Sequence, residues 1–86
     1  MEDNIDLLEE VTIPDLEEIV ESVTIVFWHA EAGDIVEVND NLVDIQVKKS
    51  IVTIKAHESG MLHEVFFDEG DEVMMDEVIA TIVPEI

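Results

Sequence analysis

Residues 42–55, LVDIQVKKSIVTIK, decide the fold of this chain, because they contain two runs of β-forming residues separated by only two positions. The first run ends at Val47 and the second begins at Ser50, which is the spacing of a tight β-hairpin. With Lys48 and Lys49 in the turn, Val47 lies opposite Ser50 and the apolar residues of both strands share one face. The predicted apolar face consists of Val43, Ile45, Val47, Val52 and Ile54, and the opposite face carries Asp44, Gln46 and Thr53.

Only three residues of the chain are basic, and two of them occupy the predicted turn. Lys48, Lys49 and Lys55 stand against 23 acidic residues, which gives a formal net charge of -20. An exposed lysine in a hairpin turn is ordinary when taken alone. In a chain that otherwise avoids lysine, two adjacent ones mark this turn as a candidate site where a group joined to a lysine amine would project into water.

Length and composition limit the function classes. A chain of 86 residues is long enough for one domain with one modest core, and 48% hydrophobic residues are too many for a disordered chain. The lack of cysteine excludes a disulfide framework and thiol ligands. The acidic surface is expected to repel nucleic acid and anionic membranes and to attract basic partners, or to serve mainly for solubility. We find no secretion signal or membrane span in the sequence, and we expect the isolated domain to be monomeric.

An internal repeat divides the chain into two similar halves. The segments AGDIVE (residues 32–37) and EGDEVM (69–74) match at an offset of 37 residues, and Leu42 and Ile79 share that offset. Short strands between turn residues are typical of a small sandwich or barrel. The repeat therefore predicts an all-β fold, a flattened β-barrel or sandwich of two antiparallel sheets with internal pseudo-two-fold symmetry. The predicted strands of the two halves are 22–28, 42–47, 61–67 and 78–83.

The same repeat makes more detailed predictions. The pseudo-two-fold axis places the lysine turn and the two chain ends at opposite ends of the domain. The second turn of each half, Asn39-Asp40 and Asp76-Glu77, is predicted to contain positive φ angles, which Asn and Asp tolerate better than most residues. The aromatic residues of the predicted strands 22–28 and 61–67, the first strand of each half, are predicted to lie in or near the core: Phe27, Trp28, Phe66 and Phe67. We expect residues 1–10 to form an acidic N-terminal lead and residues 11–86 to form the domain.

Other candidate chemistry is weak in this sequence. The three histidines, His29, His57 and His63, lack the spacing of helical metal ligands, so no metal site is predicted. Ser22, Ser50 and Ser59 lack the context of a nucleophile elbow. These residues therefore indicate neither a metal site nor a serine nucleophile.

The chain from about Val11 to Val83 resembles the biotinyl/lipoyl attachment domains. The segment IPDL (residues 13–16) is similar to the family's first strand and its exit, and TIVFWHAEAGD (24–34) is similar to its tryptophan-to-Gly-Asp segment. Lys49 follows Gly33 by sixteen residues and precedes Gly60 by eleven, which matches the placement of the family's modified lysine. Lipoyl domains usually carry Asp-Lys-Ala at this turn and biotin carriers Met-Lys-Met, whereas this chain has Lys48-Lys49-Ser50. The small residue after Lys49 favours the lipoyl branch.

This resemblance implies a barrel-sandwich hybrid fold and a swinging-arm carrier function in a 2-oxo acid dehydrogenase complex. It also implies a non-catalytic domain, either free-standing or excised from a dihydrolipoamide acyltransferase. Lys49 would carry covalent lipoic acid, or alternatively biotin, and the residues flanking it for recognition would be Gln46, Val47, Lys48, Ser50 and Ile51. The implied partners are a lipoate-attaching enzyme and the 2-oxo acid dehydrogenase and dihydrolipoamide dehydrogenase components. The implied location is the cytoplasm, or the mitochondrial matrix in a eukaryote. Two alternatives stay open at this point: a biotin carboxyl carrier domain of a carboxylase, and an unmodified structural or interaction module of the same fold.

Overall fold

The computed structural model of the chain describes residues 8–14, 16 and 20–85. These residues form eight strands: β1 (Glu9–Thr12), β2 (Ser22–Trp28), β3 (Ile35–Val36), β4 (Asn41–Val47), β5 (Ser50–Lys55), β6 (Gly60–Val65), β7 (Glu72–Met74) and β8 (Val78–Pro84). Within the described residues there is no helix that is long and apolar enough to cross a membrane.

The strands form two antiparallel sheets of four strands each. Sheet A has the order β1-β8-β6-β3, and sheet B has the order β5-β4-β2-β7. All neighbouring strands pair antiparallel. The predicted all-β fold with two antiparallel sheets is therefore confirmed, and the predicted strand 22–28 coincides with β2.

The predicted hairpin is the pair β4–β5. Val47 lies opposite Ser50, Ile45 opposite Val52 and Val43 opposite Ile54, as the sequence pattern requires. Four of the five residues on the predicted apolar face are buried, and Val52 is half-buried against the core. The hairpin register is confirmed, because alternation along a half-buried strand leaves only one pairing that buries these side chains.

The core lies between the inner faces of the two sheets. Aliphatic residues fill it, and burying each large side chain stabilises the fold by about 1.5–3 kcal/mol. The largest fully buried side chains are Ile25, Leu42, Ile45, Leu62, Ile79, Ile82, Val11, Val43, Val47 and Val73.

The two halves are related by the predicted pseudo-two-fold symmetry, which extends to individual hydrogen bonds. The amide of Gly33 donates to the carbonyl of Leu62 at 2.7 Å, and the amide of Gly70 donates to the carbonyl of Ile25 at 2.8 Å. The two hydrogen bonds are equivalent, because Gly70 follows Gly33 by 37 residues and Leu62 follows Ile25 by the same number. Both glycines have positive φ angles, 99° and 94°. The turn requires this conformation, which residues with a side chain rarely adopt.

The edge strands β1 and β5 obey the same symmetry with a different offset. Val11 lies opposite Ala80, and Ile54 lies opposite Val43, the residue equivalent to Ala80. Val11 and Ile54 are therefore equivalent at an offset of 43 residues, so sheet A maps onto sheet B strand by strand.

Two β-bulges reverse the inside and outside faces of β2 and β6. In β2 the register shifts between Ile25 and Phe27, and in β6 it shifts at the equivalent place, between Leu62 and Glu64. Each bulge adds one residue, so every later side chain changes face. Phe27 and Phe66 are each 49% exposed, and the prediction that they lie in or near the core is wrong. Trp28 and Phe67 pack against the core as predicted.

Three smaller predictions also need correction. Strand β1 begins at Glu9, so it takes in two residues of the predicted acidic lead, of which residues 1–7 lie outside the described residues. Ile13 and Pro14 follow the first strand rather than forming it, and Asp15 is not described. Asn39 has the predicted positive φ, 76°, whereas Asp76 does not.

The lysine turn and the end of β8 lie at opposite ends of the domain, as the repeat predicts. The amide of Glu85 donates to the carbonyl of Ser59 at 2.8 Å, and the amide of Val38 donates to Ser59 Oγ at 3.1 Å. Val38 precedes Asn41, where β4 starts. From Asn41 the strand runs about 20 Å before it reaches the turn.

Candidate cofactor-attachment site

Lys48 and Lys49 form the two-residue turn between β4 and β5. Lys48 has a φ of 56° and Lys49 is not among the residues with positive φ, which is the sign pattern of a type II′ hairpin turn. A side chain in this region costs about 1–2 kcal/mol relative to glycine. The Gln46 side chain supports the turn, because its Nε2 donates to the Lys48 carbonyl at 3.2 Å.

The Lys49 side chain is exposed at the tip of this turn. It makes no hydrogen bond or ion pair with any residue in 8–14, 16 or 20–85. An amine in this position reaches an external enzyme without breaking a contact of the fold, and its acylation buries no charge. The turn therefore fits a covalent cofactor on Lys49.

The predicted flanking residues divide between surface and core. Gln46, Lys48, Ser50 and Ile51 are exposed, and Ile51 reaches 56% exposure on the outer face of sheet B. Val47 is only 1% exposed and faces the core. Strand side chains alternate between the two faces of a sheet, so Gln46 faces outward and Val47 faces the core. Val47 therefore does not belong to the exposed surface beside the turn.

A polar cluster lies on the outer face of the same sheet, beyond the residues next to the turn. Thr53 Oγ1 donates to Asp44 Oδ1 at 2.7 Å, and His29 Nε2 lies 3.0 Å from the same oxygen. The Thr53 hydrogen bond and, after it, the His29 contact lower the pKa of Asp44 below its ordinary value. The hairpin register predicts that Asp44 faces Thr53, whereas the bulge in β2 hides the approach of His29 from sequence reasoning.

The other two histidines each lie near a single carboxylate. His57 Nε2 is 3.7 Å from Glu9 Oε1, and His63 Nε2 is 3.8 Å from Glu64 Oε1. In the part of the chain that the structure describes, no three His, Asp or Glu side chains form a group that could hold a metal ion.

A hairpin lysine presented by two pseudo-symmetric four-stranded sheets defines the biotinyl/lipoyl attachment class of domains. The chain belongs to the family described as Biotin-requiring enzyme, whose sequence model matches residues 9–82.

Relatives within this family place the chain with the lipoyl domains of acyltransferases. It is 40% identical over 73 residues to the dihydrolipoyllysine-residue succinyltransferase component of the 2-oxoglutarate dehydrogenase complex of Bacillus subtilis, a match that covers 85% of this chain and 18% of the relative. It is 38% identical over 73 residues to the dihydrolipoyllysine-residue acetyltransferase component of the pyruvate dehydrogenase complex of Staphylococcus epidermidis, covering 85% and 17%. The chain thus spans less than a fifth of the length of these relatives.

A solved structure agrees with this placement. The lipoyl domain of the 2-oxoglutarate dehydrogenase complex from Azotobacter vinelandii matches with a TM-score of 0.72 and 26% identity, over 85% of this chain and 92% of that one. The chain is therefore a lipoyl domain homologous to acyltransferase components of 2-oxo acid dehydrogenase complexes.

Proposed function

We propose that Lys49 is the lipoyl attachment residue of this domain and that the domain carries acyl groups between the active sites of a 2-oxo acid dehydrogenase complex. The observation that carries the proposal is the exposed Lys49 side chain at the tip of the β4–β5 turn. The turn lies at the spacing from Gly33 and Gly60 that marks the modified lysine of the family.

The chain's own contribution is to present this lysine. Neutral Lys49 Nζ would attack the carbonyl carbon of a lipoyl-adenylate held by the attaching enzyme, so that the C–N bond of an amide forms, the bond from that carbon to the phosphate oxygen breaks and AMP leaves. The amine loses its remaining excess proton to solvent, and the lysine no longer carries a charge. When bound, lipoic acid supplies the dithiol chemistry of acyl transfer. The two paired strands hold the turn rigidly, and tethering then raises the effective concentration of the arm at each partner site.

The proposed partners follow from the same function. They are a lipoate-attaching enzyme and the 2-oxo acid dehydrogenase and dihydrolipoamide dehydrogenase components, which would meet the exposed side chains of Gln46, Lys48, Ser50 and Ile51. The domain itself would be non-catalytic and would work in the cytoplasm, or in the mitochondrial matrix of a eukaryote. The homology to acyltransferase components of two such complexes supports the two dehydrogenase components as partners.

Intact-mass spectrometry of the protein purified from its own cells, followed by fragment mapping, tests the proposal. We expect one lipoyl adduct per chain on Lys49, none on Lys48, and complete loss of the adduct in Lys49→Arg. Lys48→Arg is the matched control, because it keeps the charge at the neighbouring position and is expected to retain the adduct. A biotinyl adduct, or an unmodified chain in a lysate that contains other lipoylated proteins, would refute the proposal.

A further inference from the structure

The outer face of sheet A carries a row of apolar residues that runs across its strands. Ile35 of β3 pairs with Met61 of β6, and Met61 pairs with Val83 of β8. Extending the β1 register by one residue places Leu8 opposite Val83. Side chains at directly paired positions on one face lie about 4.5–5.5 Å apart, so these four form a continuous apolar row about 14 Å long.

The side chains of the row face outward. Ile35 is 73% exposed and Met61 is 36% exposed. Val83 and Leu8 are half-buried, yet neither is among the partly buried residues packed against the core. All eight described strands belong to the two sheets, so no described strand covers this face.

The pseudo-two-fold symmetry shows that the fold does not require three of these four residues to be apolar; the fourth, Leu8, has an apolar counterpart on sheet B, Ile51, at the offset of 43 residues. At the equivalent places on sheet B, Glu72 replaces Ile35, Thr24 replaces Met61 and Gln46 replaces Val83, and they pair in the same way. Since the same strand geometry is built on sheet B with polar side chains, three apolar residues on sheet A need a different explanation. An exposed apolar strip with a polar surround is typical of a protein interaction site.

The charge around the row determines which kind of partner it fits. The neighbouring row of sheet A pairs Glu10 with Thr81 and Thr81 with Glu64, and Glu85 follows the end of β8. The three basic residues of the whole chain lie on the β4–β5 hairpin of the other sheet. A second copy of this chain would bring a formal charge of -20 against the same sign, which disfavours self-association.

We propose that the row Leu8–Val83–Met61–Ile35 is a docking surface for a basic amphipathic segment of a partner protein. The apolar side chains of that segment would cover the row, and its lysines or arginines would face Glu10 and Glu64. This surface lies at the end of the domain remote from Lys49, so a partner bound here leaves the lysine turn accessible. The inference goes beyond the proposed carrier function and does not depend on modification of Lys49.

The test uses a synthetic amphipathic helix of about 14 residues, roughly 21 Å long, with leucines on one face and lysines on the other. Two matched peptides carry glutamate in place of lysine or serine in place of leucine. Binding is measured by calorimetry and mapped by the amide chemical shifts of the domain. We expect the leucine–lysine peptide alone to bind, with shifts centred on Ile35, Met61, Val83 and Glu64.

Two variants at equivalent positions separate docking on the row from general attraction to an acidic protein. Met61→Glu and Thr24→Glu each add one negative charge, on sheet A and sheet B respectively. Docking on the row predicts at least tenfold weaker binding for Met61→Glu and less than twofold change for Thr24→Glu. General charge attraction predicts equal or tighter binding for both. Met61→Thr, which copies the residue found on sheet B, keeps the comparison valid should Met61→Glu fold poorly.

Several results would overturn the proposal. They are equal effects of the two glutamate variants, shifts centred on the β4–β5 hairpin, no binding of the leucine–lysine peptide, or a homodimer in sedimentation that Met61→Glu dissociates. The mass of the Lys49 adduct is read from the same samples. If the peptide does not bind while the adduct is present, the docking surface is refuted and the carrier function stands. If the peptide binds as expected to a chain that lacks the adduct, the docking surface stands and the carrier function is refuted.

Discussion

Replacing Gly60 by alanine tests how the domain holds its end remote from the lysine turn. Gly60 starts β6 and lies between Pro84 of β8 and Val36 of β3. A Cβ atom on Gly60 would lie 2.0 Å from the Val83 carbonyl oxygen and 2.9 Å from Pro84 Cα. Carbon–oxygen contacts are normally about 3.3 Å or longer, so the strands would have to separate by more than about 1 Å. Both obstructing atoms belong to the backbone, and no side-chain rotation relieves the clash.

The expected cost follows from that separation. Overpacking costs about 1–3 kcal/mol, and each weakened backbone hydrogen bond adds about 0.5–1.5 kcal/mol. We expect Gly60→Ala to lower the free energy of unfolding by about 3 kcal/mol and the melting temperature by roughly 12–24 °C. Gly33→Ala is the matched control, because no atom lies within 4 Å of its added Cβ and only its φ of 99° opposes the substitution. Its expected cost is about 1–2 kcal/mol.

Urea unfolding followed by the fluorescence of Trp28, the single tryptophan, measures both variants. Below its melting temperature Gly60→Ala is expected to keep full modification of Lys49, because the clash lies at the other end of the domain. A Gly60→Ala variant within about 0.5 kcal/mol of wild type, or less destabilised than Gly33→Ala, would refute the reasoning.

Other substitutions test single contacts. Thr53→Val removes the largest cause of the lowered Asp44 pKa, so an NMR titration is expected to give a higher Asp44 pKa, and an unchanged value would contradict the assignment. Because the pKa of Asp44 is lowered in the folded state, its ionised carboxylate stabilises the fold above pH 3.8, and this stabilisation is lost as the pH falls through the lowered pKa. Urea unfolding at stepped pH is expected to show a smaller acid-induced loss of stability in Thr53→Val than in the wild type. Trp28→Phe loses the 2.8 Å hydrogen bond from Nε1 to the Phe67 carbonyl and is expected to cost about 1–2 kcal/mol in thermal unfolding followed by circular dichroism; a cost below about 0.5 kcal/mol would show that the bond contributes little.

Local patterns were sufficient to predict the hairpin and the repeat. The alternation in β4 and β5 allows one register, because a shift by one residue would expose Ile45 and bury Asp44. The Gly-Asp turns around Gly33 and Gly70 mark both halves, since only a few residues adopt positive φ easily. The scarcity of lysine in an acidic chain marks the Lys48-Lys49 turn, and the spacing from Gly33 and Gly60, compared with that of the attachment domains, selects Lys49 as the candidate.

Features that depend on bulges could not be predicted. An added residue in β2 turns Phe27 outward, and the equivalent residue in β6 does the same for Phe66. No short motif marks either bulge. The contact of His29 with Asp44 depends on the first of them, because the shifted register sets which β4 residue lies beside the end of β2. The apolar row of sheet A was hidden for a related reason: its members come from four strands and meet only in the final pairing.

The symmetry also bears on how freely the chain connectivity can be rearranged. Strands β4 and β5 are joined by the lysine turn, whereas their counterparts β8 and β1 are adjacent in space but far apart in sequence. A short loop from Pro84 to Glu9 would close this second hairpin. A circularly permuted chain could then be opened in another exposed loop with both sheets and the lysine turn unchanged. The point at which such a domain is spliced into a longer polypeptide is thus separable from the point at which it carries its cofactor.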